Sequence, residues 1–205
     1  IDSGPGEIIG IVGQNGSGKT TLLRTLCGLL DPVSGEVLVN NIPISNINSY
    51  RRATLISYMP QSQVMHPFRV EEFVLMGRYP YLRKFAIESD SDNNIAHQAM
   101  KKTLTLEFAA RQISTLSGGE TQRVALARIF AQSSKVMALD EPTSNLDLHH
   151  QLIMMETLKK EVVSRNASAI MVMHDLSVAA RYCDRIFLMF MGKIIASGKP
   201  IDVLT

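Results

Sequence analysis

One eight-residue stretch, Gly13-Gln14-Asn15-Gly16-Ser17-Gly18-Lys19-Thr20, limits what this chain can fold into more than any other feature. The apolar run Ile8-Ile9-Gly10-Ile11-Val12 leads into it, and Thr21-Leu22-Leu23-Arg24-Thr25-Leu26 follows with the residues of a helix. Strand, glycine loop and helix in that order form the phosphate-binding loop. The glycines allow a tight backbone whose N–H groups turn inward toward an anion, and the helix start adds its free N–H groups and the positive end of its dipole. In such a loop Lys19 reaches the β- and γ-phosphates and the Thr20 hydroxyl binds Mg²⁺. The chain is therefore expected to bind a nucleoside triphosphate.

Composition narrows the setting. The 205 residues can bury a substantial core as one domain. Apolar residues at 45% and charged residues at 20% are ordinary for a globular protein. A formal charge of +2 is too small to point to nucleic acid as the partner. The longest apolar runs, such as Ile186-Phe187-Leu188-Met189-Phe190-Met191, fall far short of a bilayer span. No leader peptide is recognisable, although the first residue is Ile. Cys27 and Cys183 fit small core or surface residues in a reducing compartment. The eleven methionines sit mostly in apolar runs and are read as core filler. His66, His97, His149 and His150 form no recognisable metal cluster.

Strand and helix patterns alternate along the chain. Strands are expected over 8–12, 36–39, 55–59, 136–139, 169–173 and 186–189, and helices over 19–28, 70–77, 95–106, 118–131, 151–164 and 176–182. The runs before Asp140 and His174 are continuously apolar, as in parallel strands buried on both faces. An α/β sheet with helices on both sides follows, with ligands at the carboxyl ends of its strands. Gly13, Gln61, Asp140 and His174 each fall just past such an end and are expected to converge on one site. The stretch 62–112 breaks the alternation; it is read as a helical insertion containing a polar loop over 88–94.

Two further motifs carry chemistry. Leu116-Ser117-Gly118-Gly119-Glu120 opens a helical run, and Ser117 with Glu120 has the spacing of a capping box. Two glycines inside the first turn cost roughly 1 kcal/mol each relative to alanine, so a close approach by a backbone or ligand is implied as well as the cap. Val136-Met137-Ala138-Leu139-Asp140-Glu141 brings two carboxylates to the tip of a buried strand. Crowding them is costly unless a cation or a reacting water uses them, which suits Asp140 to Mg²⁺ and Glu141 to a general base.

Taken together and in order, Gly13–Thr20, Gln61, Leu116–Glu120, Asp140-Glu141, Ser144-Asn145-Leu146-Asp147 and His174 resemble the ATP-binding subunit of an ATP-binding cassette (ABC) transporter, over essentially the whole chain. The resemblance implies a P-loop NTPase (RecA-like) core with a mainly parallel sheet, a small antiparallel β part and a helical subdomain insertion. It divides the single domain into a core of 1–61 and 131–205 and a helical subdomain of 62–130 that includes the signature helix. It implies a head-to-tail dimer with ATP and Mg²⁺ held between protomers. Gly13 through Thr21 of one chain would bind the nucleotide, with Ser117, Gly118 and Gly119 of the other above it and Asp147 coupling the two sites. Thr20, Gln61 and Asp140 would hold the metal. Lys19, Gln61, Glu141 and His174 would be the catalytic set, His174 aligning the attacking water with Glu141. Integral membrane permease subunits, docking around Met65–Arg83, and indirectly a substrate-binding protein would be partners, which sets the chain at the cytoplasmic face of the inner membrane.

Within the family, Val74-Leu75-Met76-Gly77-Arg78-Tyr79-Pro80-Tyr81 looks like the importers of iron–siderophore complexes, haem and cobalamin, and Ile195-Ala196-Ser197-Gly198-Lys199-Pro200 agrees. An aromatic residue that stacks on adenine in relatives has no counterpart in Ile1–Glu7, and relatives continue past Ile201–Thr205, so the chain is expected to be clipped at both ends. Phe190-Met191-Gly192 stands where relatives have a polar turn, as a subunit contact or simply exposed. Two rivals remain: a non-transport ABC ATPase, disfavoured by the lack of duplication, coiled coil or strong basic charge, and a catalytically dead cassette, disfavoured by the presence of Lys19, Glu141 and His174.

Overall fold

A computed structural model describes residues 1–61, 67–83 and 86–204. Five parallel strands form the centre: β1 (Ile8–Gly13), β4 (Ile56–Met59), β5 (Val136–Asp140), β6 (Ser168–Val172) and β7 (Arg185–Phe190). With the antiparallel edge strand β8 (Lys193–Gly198) the order is β4-β5-β6-β1-β7-β8. A separate antiparallel pair joins β2 (Leu38–Val39) to β3 (Ile42–Pro43). Its two turn residues, Asn40 (φ 51°) and Asn41 (φ 62°), both occupy the left-handed region, which marks a type I′ hairpin and explains the asparagines.

The alternation of side chains along the strands sorts them onto two faces. Ile9 and Ile11, Ala138, Ile170 and Val172 face α1 (Lys19–Leu26), whose Leu23 is fully buried among them together with Cys27 at its C-cap. Ile8, Val12, Met137, Leu139, Ala169 and Met171 face the opposite side. There they join one apolar cluster with α3 (Val70–Leu75), α4 (Asp90–Lys102), α5 (Gly118–Gln132), α6 (Leu148–Arg165) and α7 (Leu176–Tyr182). Each fully buried Ile or Leu in these layers contributes about 1.5–3 kcal/mol. α2 (Ser49–Leu55) leads into β4, and α8 (Pro200–Val203) follows β8.

The α/β class and the mainly parallel sheet are as the sequence implies; several boundaries are not. Most of the expected 88–94 loop is helix: Ser89 accepts from Asp92 N at 3.2 Å while Asp92 accepts from Ser89 N at 3.1 Å, and this capping box starts α4 at Asp90, leaving only Glu88 and Ser89 before it. Only Leu38–Val39 of the expected strand 36–39 is extended. α2 and β8 were not expected; Asn48 caps α2 through Arg51 N at 2.9 Å, a signal an ordinary polar run conceals. The expected helix 151–164 begins at Leu148 because Asp147 caps it through His150 N. Met65 and His66, in the expected docking stretch, lie outside the described residues.

Candidate functional site

β1 ends at the centre of the sheet, and the chain turns there through Gly13 (φ 150°), Gly16 (φ 78°) and Gly18 (φ 96°) into α1. A Cβ on Gly13 would stand 2.1 Å from Met189 O of β7, so no side chain fits. Gln14, Asn15 and Gly16 are exposed at the loop tip, while Ser17 and Lys19 are buried. Lys19 Nζ donates to Gly13 O at 2.8 Å and to Gln14 O at 2.9 Å, holding the ammonium over the loop mouth. Burial lowers its pKa, against the attraction of Glu141 and Asp140. The buried Ser17 Oγ has no hydrogen-bond partner among the described residues. An orphaned hydroxyl and a cation resting on carbonyls suit a loop built for an anion. Thr21 is exposed on the first turn of α1.

The second half of the constellation comes from β5 and β6. Asp140, the last residue of β5, is fully buried, and Thr20 Oγ1 donates to its Oδ1 at 3.1 Å. Burial pushes its carboxyl up, Glu141 adding to the effect and the Thr20 hydrogen bond opposing it. A buried carboxylate beside a hydroxyl is an oxygen pair suited to a hard divalent cation, so these residues fit Mg²⁺. Glu141 turns the chain in the left-handed region (φ 51°). Its Oε2 accepts from Gln61 Nε2 at 2.8 Å, and its Oε1 is hydrogen-bonded to His174 Nε2. His174 precedes α7, whose N-cap Asp175 accepts from Ser177 N and Val178 N, and its side chain remains 44% exposed. Two hydrogen-bonded groups, Thr20 with Asp140 and Gln61 with Glu141 and His174, thus meet through the adjacent residues Asp140 and Glu141 at the carboxyl ends of β4, β5 and β6, beside the loop that follows β1.

Ser117, Gly118, Gly119 and Asp147 are elsewhere. With Glu120, Arg123, Asn145, Leu146 and His150 they line an open depression of about 580 Å³. Ser117 caps α5: its Oγ accepts from Glu120 N at 3.3 Å, and Glu120 Oε2 accepts from Ser117 N at 2.7 Å, which lowers the Glu120 pKa. Gly119 lets the loop before α6 press close, since a Cβ there would lie 3.2 Å from Asn145 O. Four further side chains, to which the sequence reading gave no role, reach this constellation. Tyr58 OH reaches Asp140 Oδ2 at 3.5 Å, with Arg24 Nε donating to Tyr58 OH at 3.2 Å. Gln122 Nε2 and Ser144 Oγ each donate to Glu141 O at 3.0 Å. Among the described residues no group of three or more His, Cys, Asp and Glu is placed to hold a metal.

The sequence profile of the family described as ABC transporter matches residues 1–144. The chain belongs to the ABC transporter family. A cobalamin import ATP-binding protein of Halobacterium salinarum is 40% identical to this ABC cassette over 201 residues, covering 98% of the chain and 50% of the relative. The chain thus spans half the length of that relative. A hemin import ATP-binding protein of Escherichia coli O157:H7 is 42% identical over 207 residues, covering 98% of the chain and 78% of the relative. Among solved structures, an inward-facing ABC transporter described as metal-chelate type superposes with a TM-score of 0.85 at 30% identity, covering 100% of the cassette and 76% of that chain. A dimeric bacterial ABC transporter cassette gives 0.87 at 28% identity, covering 98% and 88%. No helix among the described residues is long and apolar enough to cross a membrane.

Proposed function

We propose that this cassette is the ATP-hydrolysing subunit of an ABC importer, powering uptake of an iron chelate, haem or cobalamin-type substrate through a separate membrane permease. The observation that carries the hydrolytic reading is Glu141, held beside the phosphate loop with Gln61 on one carboxylate oxygen and His174 on the other. In this reading the loop from Gly13 to Thr21 binds the triphosphate, and Lys19 exchanges its two carbonyl contacts for phosphate oxygens. Thr20, Asp140 and Gln61 would hold Mg²⁺, whose charge would offset that of the phosphates. Glu141 takes the proton of the attacking water, and His174 holds Glu141 and that water in line.

Ser117, Gly118 and Gly119 lie in a depression of their own, which suits them to cover the nucleotide of a second, head-to-tail copy, with Asp147 beside them. The import class rests on the relatives named for cobalamin and hemin import and on the metal-chelate type structure. Permease subunits would dock around Met65–Arg83, in the subdomain assigned to 62–130, leaving 1–61 and 131–205 to the nucleotide, with the cassette peripheral on the cytoplasmic face of the membrane. A substrate-binding protein would act through the permease.

The test is the solution mass of Glu141→Gln by light scattering, with Mg²⁺-ATP and then Mg²⁺-ADP. Removing the base slows hydrolysis by about 10²–10⁴-fold, so ATP persists and the dimer accumulates. A dimer with ATP and a monomer with ADP are expected; a monomer in both, with ATP demonstrably bound, overturns the paired arrangement.

A further inference from the structure

We infer that Gln122 is a positioning residue for Glu141, an inference that rests on the hydrolytic reading above. Glu141 is a non-glycine residue at φ 51°, a conformation that costs on the order of 1 kcal/mol and persists only where its surroundings over-determine it. The surroundings here can be named. Glu141 N donates to Val172 O at 3.1 Å, which ties it to the end of β6. Its carbonyl accepts from Ser144 N at 3.1 Å, Ser144 Oγ at 3.0 Å and Gln122 Nε2 at 3.0 Å. The Ser144 contacts are local to the turn, so Gln122 alone anchors this carbonyl to a different element, α5.

Gln122 is 2% exposed, so its amide has no access to water as an alternative partner. One turn earlier, α5 meets the same loop: a Cβ on Gly118 would lie 3.4 Å from Asn145 Cβ, and one on Gly119 3.2 Å from Asn145 O. The helix start and the turn from Glu141 to Asp147 are therefore packed as one unit, with Gln122 as its polar tie. Without that donor the carbonyl is held only within its own turn, and Glu141 is less firmly kept from rotating about its N–Cα bond toward an ordinary φ. Rotation would swing the Cα–Cβ bond and draw the carboxylate away from Gln61 and His174, where a displacement of an ångström costs up to about a hundredfold in rate.

The experiment compares Mg²⁺-ATP hydrolysis by the wild-type chain, Gln122→Met, Glu141→Gln and the double variant. Nucleotide affinity is read in parallel with a fluorescent ATP analogue, and folding by thermal unfolding. Gln122→Met keeps the shape and removes the donor. It is expected to lower kcat about tenfold while KM and nucleotide affinity change less than about twofold, and to have no further effect when Glu141 is already Gln. Should Gln122→Met not fold, Ser144→Ala, which removes another donor to the same carbonyl, takes its place with a loss of a few-fold and the same non-additivity. Equal fractional losses in both backgrounds, or weaker nucleotide binding at unchanged kcat, overturn the inference alone. Wild-type turnover by Glu141→Gln overturns the base assignment and this inference with it.

Discussion

Asp140 illustrates how a residue can be misplaced for stability and well placed for chemistry. It is fully buried, its partners are two hydroxyls, and burial raises its pKa. A carboxyl whose folded value lies above its unfolded value costs nothing below the ordinary carboxylate range. Its cost grows as pH rises from that range through the folded value and is complete above it. Asp140→Asn is therefore expected to raise the melting temperature of the nucleotide-free chain at pH 7.5 by about 2–4 °C, corresponding to about 1 kcal/mol. The gain should vanish near pH 4, and the same variant should lose the added stabilisation that Mg²⁺ gives over ATP alone. Thermal unfolding across pH, with and without Mg²⁺, checks both. An unchanged Mg²⁺ increment would remove Asp140 from the proposed metal site. Such a trade of stability for a functional charge is common at active sites.

At the scale of elements, the signature helix α5 was legible because its start is written locally: Ser117 and Glu120 satisfy each other's backbone groups within four residues. The cap and the proposed contact across the dimer can be separated. Ser117→Ala should cost about 1 kcal/mol and about 2–4 °C in the free chain, whereas Ser117→Asp, an equally good cap, should melt normally. The carboxylate of Ser117→Asp would face the partner's triphosphate, so ATP-driven dimerisation should fail in light scattering; a dimer of normal stability would remove Ser117 from the nucleotide. Other elements were hidden for a physical reason. α4 begins inside a run of Asp, Ser and Asn that reads as loop until Ser89 and Asp92 are seen to cap it. β8 is an edge strand whose pairing with β7 includes a register shift between Leu188 and Met189. The same divide holds in the site. Lys19, Thr20, Asp140, Glu141 and His174 were readable from motif and strand end. Tyr58 and Gln122 reach Asp140 and Glu141 through hydrogen bonds that span 82 and 19 positions, and no local pattern announces them.

At the scale of the whole molecule, the phosphate loop with its carboxylates and the depression around Ser117 are separate parts of a single chain. If each ATP needs the first part from one copy and the second from another, defects in different parts should complement. Chains carrying Lys19→Ala mixed with chains carrying Ser117→Arg should regain hydrolysis that neither shows alone. Random pairing sets a ceiling of about a quarter of the wild-type rate per chain, because half the dimers are mixed and each keeps one intact site. A mixture as inactive as its components would mean that each chain works on its own nucleotide.

A machine split in this way would respond to how crowded it is. In dilute solution, activity per chain should climb with chain concentration rather than stay constant. Two copies fastened to one membrane protein would meet at an effective concentration in the millimolar range, whatever their abundance elsewhere. Stray copies would then consume little fuel, and expenditure would be confined to the place where two of them are held together.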